Sequence, residues 1–383
     1  MTTTHVFIVD WNTFKYHLEY LFAGTGAGDN IIDFNNSSTT QLHHATENNL
    51  IGMIADFQRV RKDDFIVFYV QKDGDKEGTF FGIFKAKHDL SFLDNNDGKQ
   101  FLKKELGKSL TFRTLIVPYE VFPKGVTEWE ALDTIRGLTS PNQMIWSLIY
   151  RKLKATRGNT MITLYETERL FKLLRDKNSG RTITGVNYTY YRSKQEIIPS
   201  AKTYNYTGRQ TAINILPRLI KKYNGGQAFE THLQAYIVEN IGRNTNQSLD
   251  KCLLNGLQIE WLGNEVYCGV GMQRIDVTLS LIKNNVKIVV PIELKAVEAD
   301  ESNIIQIQRY IDWIEQYYIP NRQSDVQPVL ISKKIENKST ESYRKIIESF
   351  KIFNATNRNR CNQLKFVEFF VQNNDLEFEE IVY

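Results

Sequence analysis

Residues 271–295 read Gly271-Met272-Gln273-Arg274-Ile275-Asp276-Val277-Thr278-Leu279-Ser280-Leu281-Ile282-Lys283-Asn284-Asn285-Val286-Lys287-Ile288-Val289-Val290-Pro291-Ile292-Glu293-Leu294-Lys295. Two apolar runs flank a turn-forming Lys283-Asn284-Asn285, an acidic residue bounds the first run, and Glu-x-Lys closes the second. On a strand successive side chains alternate faces, so Glu293 and Lys295 share a face and Leu294 points away. Pairing of the two runs as a hairpin brings Asp276 near Glu293. Two carboxylates and an ammonium in one small space are costly unless a cation joins them. Mg²⁺ is the natural candidate, because it is a hard ion that favours carboxylate oxygens. The continuous apolar run Ile288-Val289-Val290 and Ile292 suits a central strand covered on both faces. Pro291 opposes that reading, since proline removes a ladder donor, and it predicts a bulge or an edge position there.

Two further stretches extend the pattern. Upstream, Ala228-Phe229-Glu230-Thr231-His232-Leu233-Gln234-Ala235-Tyr236-Ile237 predicts a helix with a carboxylate near its start. Downstream, Ile304-Ile305-Gln306-Ile307-Gln308-Arg309-Tyr310-Ile311-Asp312-Trp313-Ile314 predicts a second helix carrying Gln-x-x-x-Tyr. The ordered set over roughly residues 225–335 resembles the PD-(D/E)xK nuclease superfamily, restriction-endonuclease-like and close in pattern to archaeal mismatch-type and Holliday-junction-type relatives. Its first motif is here reduced to the aspartate. The resemblance implies a mixed sheet flanked by helices and a metal-dependent endodeoxyribonuclease. It makes Asp276, Glu293, Lys295, Glu230 and Gln306 the catalytic set, with Asp276, Glu293 and the Leu294 carbonyl as metal ligands. Mg²⁺ is the implied cofactor, with Mn²⁺ as a substitute.

Composition bounds the alternatives. At 383 residues the chain is long for one average domain, so two are expected. A net charge of +4 permits nucleic-acid binding without arguing for it, because a local patch decides that matter. Cys252, Cys268 and Cys361 lack metal-ligand spacing and read as small buried hydrophobes of a reduced compartment. There is no signal-like start and no apolar run of about 18 residues, so a cytoplasmic protein without a membrane partner is expected.

The first part of the chain reads as short strands at residues 5–11, 64–70, 78–86 and 111–117, with helical periodicity at 14–21, 144–150 and 167–174. A Gly-, Asn-, Ser- and Thr-rich loop is expected from Gly24 to about Thr40. Such strands and turns predict a small curved or closed sheet. The domain boundary is expected between about 176 and 224, which makes residues 1–175 one domain, 176–223 a linker with a connecting helix, and 224–383 the other. Phe7-Ile8-Val9-Asp10-Trp11, Asp63-Asp64-Phe65-Ile66-Val67-Phe68-Tyr69, Phe81-Gly82-Ile83-Phe84, Ile145-Trp146-Ser147-Leu148-Ile149-Tyr150-Arg151-Lys152-Leu153-Lys154 and Arg157-Gly158-Asn159-Thr160-Met161-Ile162-Thr163 resemble the PUA-related EVE and YTH modules. That likeness implies a small β-barrel with helices that grips an extruded base between aromatic faces. Asp10 and Trp11 stand where the family usually presents a serine or similar residue. The overall class is α/β, in the α+β sense.

Each candidate also has a plainer reading. Glu293 and Lys295 read equally as a strand-end salt bridge, and Glu230 as a solvated first-turn residue favoured by the helix dipole. Gln306 reads as a polar residue on the outer side of an amphipathic helix, with Gln308 its alternative, as Glu239 is to Glu230. Arg274 suits a phosphate contact or an ion pair. His232 has no histidine partner nearby and reads as a packed or exposed helix residue. Trp11, Tyr69, Trp129 and Trp146 are base-pocket candidates, although aromatics more often fill cores. The basic run Arg151–Arg157 reads as a phosphate contact or a solvated helix face.

The combined expectation is a restriction-type endonuclease, type II or modification-dependent, that reads a specific or modified flipped base in double-stranded DNA. Cutting both strands requires two active sites, hence a homodimer. A mismatch or repair endonuclease, and a non-catalytic nucleic-acid-binding protein, are the alternatives.

Overall fold

In the computed structural model the described residues are 2–28, 31–33, 44–134, 136–148, 158–269 and 273–383. The Gly271-Met272 pair, Ile149-Tyr150, the Arg151–Arg157 run and much of the expected 24–40 loop lie outside them. The chain divides into two compact units, one of Met1–Asp33 with Asp56–Ile213, the other of Phe34–Ala55 with Asn214–Tyr383. Both are mixed α/β.

The first unit holds a curled, mixed sheet. Its strands are β1 (Thr4–Val9), β2 (Phe22–Thr25), β3 (Phe65–Val70), β4 (Thr79–Ala86), β5 (Phe92–Leu93), β6 (Phe112–Pro118), β7 (Val126–Thr127) and β8 (Asn159–Ile162). The order is β2-β6-β4-β3-β1-β8, with β5 beside β6 and β7 beside β4. Among the described residues the path is open, with β2 and β8 at its ends, so of the curved or closed sheet expected it is the curved form that occurs. β1 and β3 run parallel, joined through the intervening helix His44–Gln58, and the other pairings are antiparallel. Val6, Val67, Phe80 and Ile83 share one core with Leu170 and Leu174 of the helix Leu164–Lys177. Thr163 and Glu166 form a reciprocal capping box that starts this helix.

Residues 176–213 are not a linker. The hairpin β9 (Tyr188–Tyr191) and β10 (Glu196–Pro199) places Tyr188, Tyr190 and Ile197 in the core of the first unit. Arg209 is fixed by Asp94 and Asp97. The polar composition that suggested a linker here satisfies internal hydrogen bonds and aromatic packing. From Asn214 the chain belongs to the second unit, and its first element there is the helix Leu216–Asn224.

The second unit is built on β11 (Gln258–Tyr267), β12 (Arg274–Lys283), β13 (Val286–Lys295), β14 (Asp325–Val326), β15 (Val329–Lys333), β16 (Lys365–Gln372) and β17 (Asp375–Ile381). Their order is β11-β12-β13-β15-β16-β17, with β14 paired to β13. β12 and β13 form the expected hairpin, closing at Lys283 opposite Val286. Asn284 and Asn285 both have positive φ, 48° and 68°, as a two-residue type I′ turn requires and as asparagine tolerates. β13, β15 and β16 are parallel, and the helices Asn303–Trp313 and Glu341–Thr356 make the crossovers between them.

Pro291 is accommodated without the bulge or edge expected of it. β12 pairs with β13 in unbroken register across Thr278 and Pro291. On the opposite side β14 pairs only with Ile288 and Val289, and β15 pairs with β13 only from Ile292 onward. The proline falls in the gap where the neighbouring strand breaks at Gln327-Pro328, so its missing N–H deprives no partner there.

Candidate active site

The register sets Val277 opposite Ile292, so continuing the hairpin by one residue places Asp276 across from Glu293. Asp276 is half-buried at the start of β12, and its Oδ2 accepts from the Leu294 amide at 2.8 Å. Glu293 is 2% exposed. Lys295, two residues on and on the same face, places Nζ 2.5 Å from Glu293 Oε1. The Tyr310 hydroxyl donates to Glu293 Oε2 and lies 2.9 Å from the Arg274 carbonyl oxygen.

Two helices deliver the remaining groups. Glu230 opens the helix Glu230–Asn240, whose following residues His232–Val238 are all buried. Its carboxylate charge suits the positive end of the helix dipole. One turn on, Gln234 donates from Nε2 to the Asp276 carbonyl oxygen at 2.9 Å and ties this helix to the end of β12. The helix Asn303–Trp313 buries Ile307, Tyr310 and Ile311, followed by Ile314, a spacing that turns one stripe to the sheet. Gln306 stands one turn before Tyr310 on the same side and is half-buried.

The electrostatics are strained. Burial, then the Glu293 and Glu230 carboxylates, push the Asp276 carboxyl well above its usual range, against the Leu294 amide and Lys295. Glu230 keeps solvent access, yet burial raises its carboxyl, Lys295 pulls it down and Glu293 pushes it up again. Burial alone would lower Lys295, but its carboxylate neighbours, Glu293 foremost, raise it instead. Burial and then Glu293 and Asp276 lift the nearby Cys268 thiol to about 12. Burial and the same two acids hold Tyr310 in its protonated, donating form.

These carboxylates are the class of donor that Mg²⁺ takes. Among the described residues no three His, Cys, Asp or Glu side chains form a ready cage. Instead Lys295 and Tyr310 engage the two Glu293 oxygens, and one Asp276 oxygen is spent on a backbone amide. The donor chemistry fits Mg²⁺, and the repulsion felt by Asp276 is what a divalent ion would relieve. The backbone group of Leu294 in contact with Asp276 is its amide, while its side chain is buried.

Other sequence candidates have settled partners. Arg274 pairs with Glu265 at 3.0 Å and lies over the Tyr267 ring. Gln308 bonds Asn357 and Asp312. His232 is buried against Glu47. Glu239 lies nine residues along the helix from Glu230, about 13 Å at 1.5 Å per residue, and burial lifts its carboxyl to about 7. Gln234 and Cys268 are neighbours that the sequence did not single out, and Tyr310 entered only as the tyrosine of Gln-x-x-x-Tyr, without a role. Only Tyr310 carried a signal, through its four-residue spacing from Gln306.

The base-pocket candidates separate in the first unit. Trp11 is 3% exposed, packed on Tyr190, and its indole N–H meets no acceptor among the described residues. Tyr69 is buried and donates to Glu128 at 2.5 Å. Both belong to the core as the structure stands. Trp129 is 64% exposed and Trp146 half-buried.

No family model and no curated protein matches the chain. Among solved structures it is similar to a hypothetical protein from Leishmania major, with TM-score 0.29 and 10% identity over 46% of this chain and 97% of that one. It is also similar to human THYN1 protein in complex with 5-methylcytosine containing DNA, with TM-score 0.25 and 8% identity over 45% of this chain and 96% of that one. Likeness at this level carries no argument about function.

Proposed function

We propose that the second unit is a Mg²⁺-dependent nuclease centre that hydrolyses phosphodiester bonds in DNA, and that the first unit supplies base recognition. One observation carries the reading: Asp276, Glu293 and Lys295 lie together at the ends of adjacent inner strands, with the Glu230 charge acting on the same group. Ionisable residues are seldom so buried without a purpose, and carboxylates in mutual repulsion mark functional sites more often than structural ones.

Asp276 and Glu293 would hold the ion, with the Leu294 carbonyl as a further oxygen and Glu230 completing the site. When bound, Mg²⁺ supplies polarisation of the scissile phosphate and a more acidic water. Lys295 would orient the attacking water or stabilise the charge developing on the phosphate. Tyr310 fixes the Glu293 carboxylate by its hydrogen bond, and Gln234 keeps the end of β12 in register with the helix bearing Glu230. Gln306, one turn before Tyr310 on its helix, would hydrogen-bond a phosphate oxygen.

Metal binding separates this reading from a non-catalytic binding protein. Titration of the full chain with Mg²⁺ and Mn²⁺, followed by incubation with linear and supercoiled DNA, is expected to show binding and cleavage. DNA binding with neither metal uptake nor cleavage would leave the binding-protein reading.

A further inference from the structure

A second buried charge stands in the same row of the sheet as Lys295. The register sets Lys295 of β13 opposite Ser332 of β15, and Ser332 opposite Glu368 of β16. Paired residues on parallel strands present side chains to one face, and strands lie about 4.8 Å apart, so Glu368 stands about 10 Å from Lys295. Ser332 and Glu368 are both fully buried. Glu368 Oε2 lies 2.8 Å from Lys338 Nζ, and Oε1 accepts from the Ile335 amide at 3.3 Å. Lys338 sits between β15 and the helix Glu341–Thr356, with its side chain 37% exposed.

A carboxylate with no solvent access is an expensive way to hold a surface loop. What it achieves is to fix one ammonium near the carboxyl ends of parallel strands, the edge where open α/β sheets bind ligands. An ammonium has three donors, and the ion pair with Glu368 leaves donors for a further anion. Anchoring also removes side-chain freedom before any ligand arrives, which lowers the cost of the contact.

We propose that Lys338, held by Glu368, binds a backbone phosphate of the nucleic acid a short way along the strand from the bond addressed by Lys295. The inference deepens the nuclease reading and rests on it for the identity of the ligand. The test is binding of a duplex oligonucleotide by the full chain, without divalent metal, across a range of salt. Lys338→Ala is expected to weaken binding and to reduce the slope of log K against log[salt] by about 0.9, the loss of one phosphate contact. Lys338→Arg is expected to restore the slope. Lys338→Met combined with Glu368→Gln removes both charges together, guards against misfolding from an unpaired buried acid, and is expected to reproduce the smaller slope. An unchanged slope in the folded double variant would overturn the proposal and leave a loop staple. Wild-type cleavage in Mg²⁺ is scored separately, so a protein that binds with this slope change but never cuts refutes the nuclease reading and retains the phosphate contact.

Discussion

The helix Glu230–Asn240 takes part in two ionic clusters of opposite balance, two residues apart. At Glu230 its charge acts on Asp276, Glu293 and Lys295, where acids outnumber the lysine. At His232 it meets Glu47, which Arg218 binds through two nitrogens at 2.7 and 2.9 Å, with Lys222 at 3.4 Å and His232 at 2.9 Å. Burial would raise Glu47, but Arg218 and then His232 hold its carboxyl far below the usual range. The first cluster is short of positive charge and the second has it in excess. A saturated cluster fixes a fold, whereas an unsaturated one keeps a charge available for a ligand.

The sharpest way to break this contrast is Glu47→Ala. It leaves Arg218, Lys222 and His232 without their shared anion, and a loss of about 3–5 kcal/mol in unfolding free energy is expected. A loss under about 1 kcal/mol by denaturant titration would show the cluster to be incidental. Metal addition probes the other side. At a hundred times its Kd, Mg²⁺ is expected to stabilise the wild type by about 2.7 kcal/mol and Asp276→Asn by far less. Equal stabilisation of both would place the ion elsewhere.

The pH dependence sharpens the comparison because the two shifts have opposite sign. Asp276 binds its proton more readily in the folded state than in the unfolded one. Without metal, its contribution to stability is therefore full in acid and is lost as pH rises through its raised value. Glu47 behaves in reverse. Its contribution is full above its ordinary value of 4.5 and is lost as pH falls toward its lowered one. Denaturation of metal-free protein across pH should show Asp276→Asn flattening the neutral-side decline and Glu47→Gln flattening the acid-side decline. One shared profile for all three proteins would contradict the assignment. The smallest effect is expected from Tyr310→Phe, which removes a hydroxyl bonded to Glu293 and costs about 1 kcal/mol of stability. Its cleavage rate should fall with KM nearly unchanged, since Tyr310 positions an acid and does not bind DNA.

The legible parts of the site were those the chain keeps close together. Asp276 and Glu293 lie on strands joined by a two-residue turn, so alternation and the asparagine pair were enough to bring them face to face. Helical spacing likewise placed Glu230 and Gln306 on elements flanking the sheet. Contacts formed across the fold were not legible. Gln234 reaches a carbonyl 42 positions away, and Glu47 meets His232 185 positions away. The tolerance of Pro291 depended on where β14 stops, a fact about another strand. Trp11 and Tyr69 showed the limit of composition, since an aromatic that can stack on a base can equally fill a core, and burial decided between them. The 176–213 stretch reads as linker because its polar and tyrosine side chains pair with distant partners such as Asp94, Arg113 and Trp11.

The most direct test compares wild type with Asp276→Asn on unmodified and base-modified supercoiled plasmid in Mg²⁺. Wild type is expected to nick or linearise at least one plasmid in a metal-dependent manner, and the folded variant to lose about 10²–10³-fold in rate, on the scale of losing a main electrostatic group. Cleavage retained by Asp276→Asn, or no cleavage by folded wild type on either plasmid with Mg²⁺ or Mn²⁺, would contradict the account.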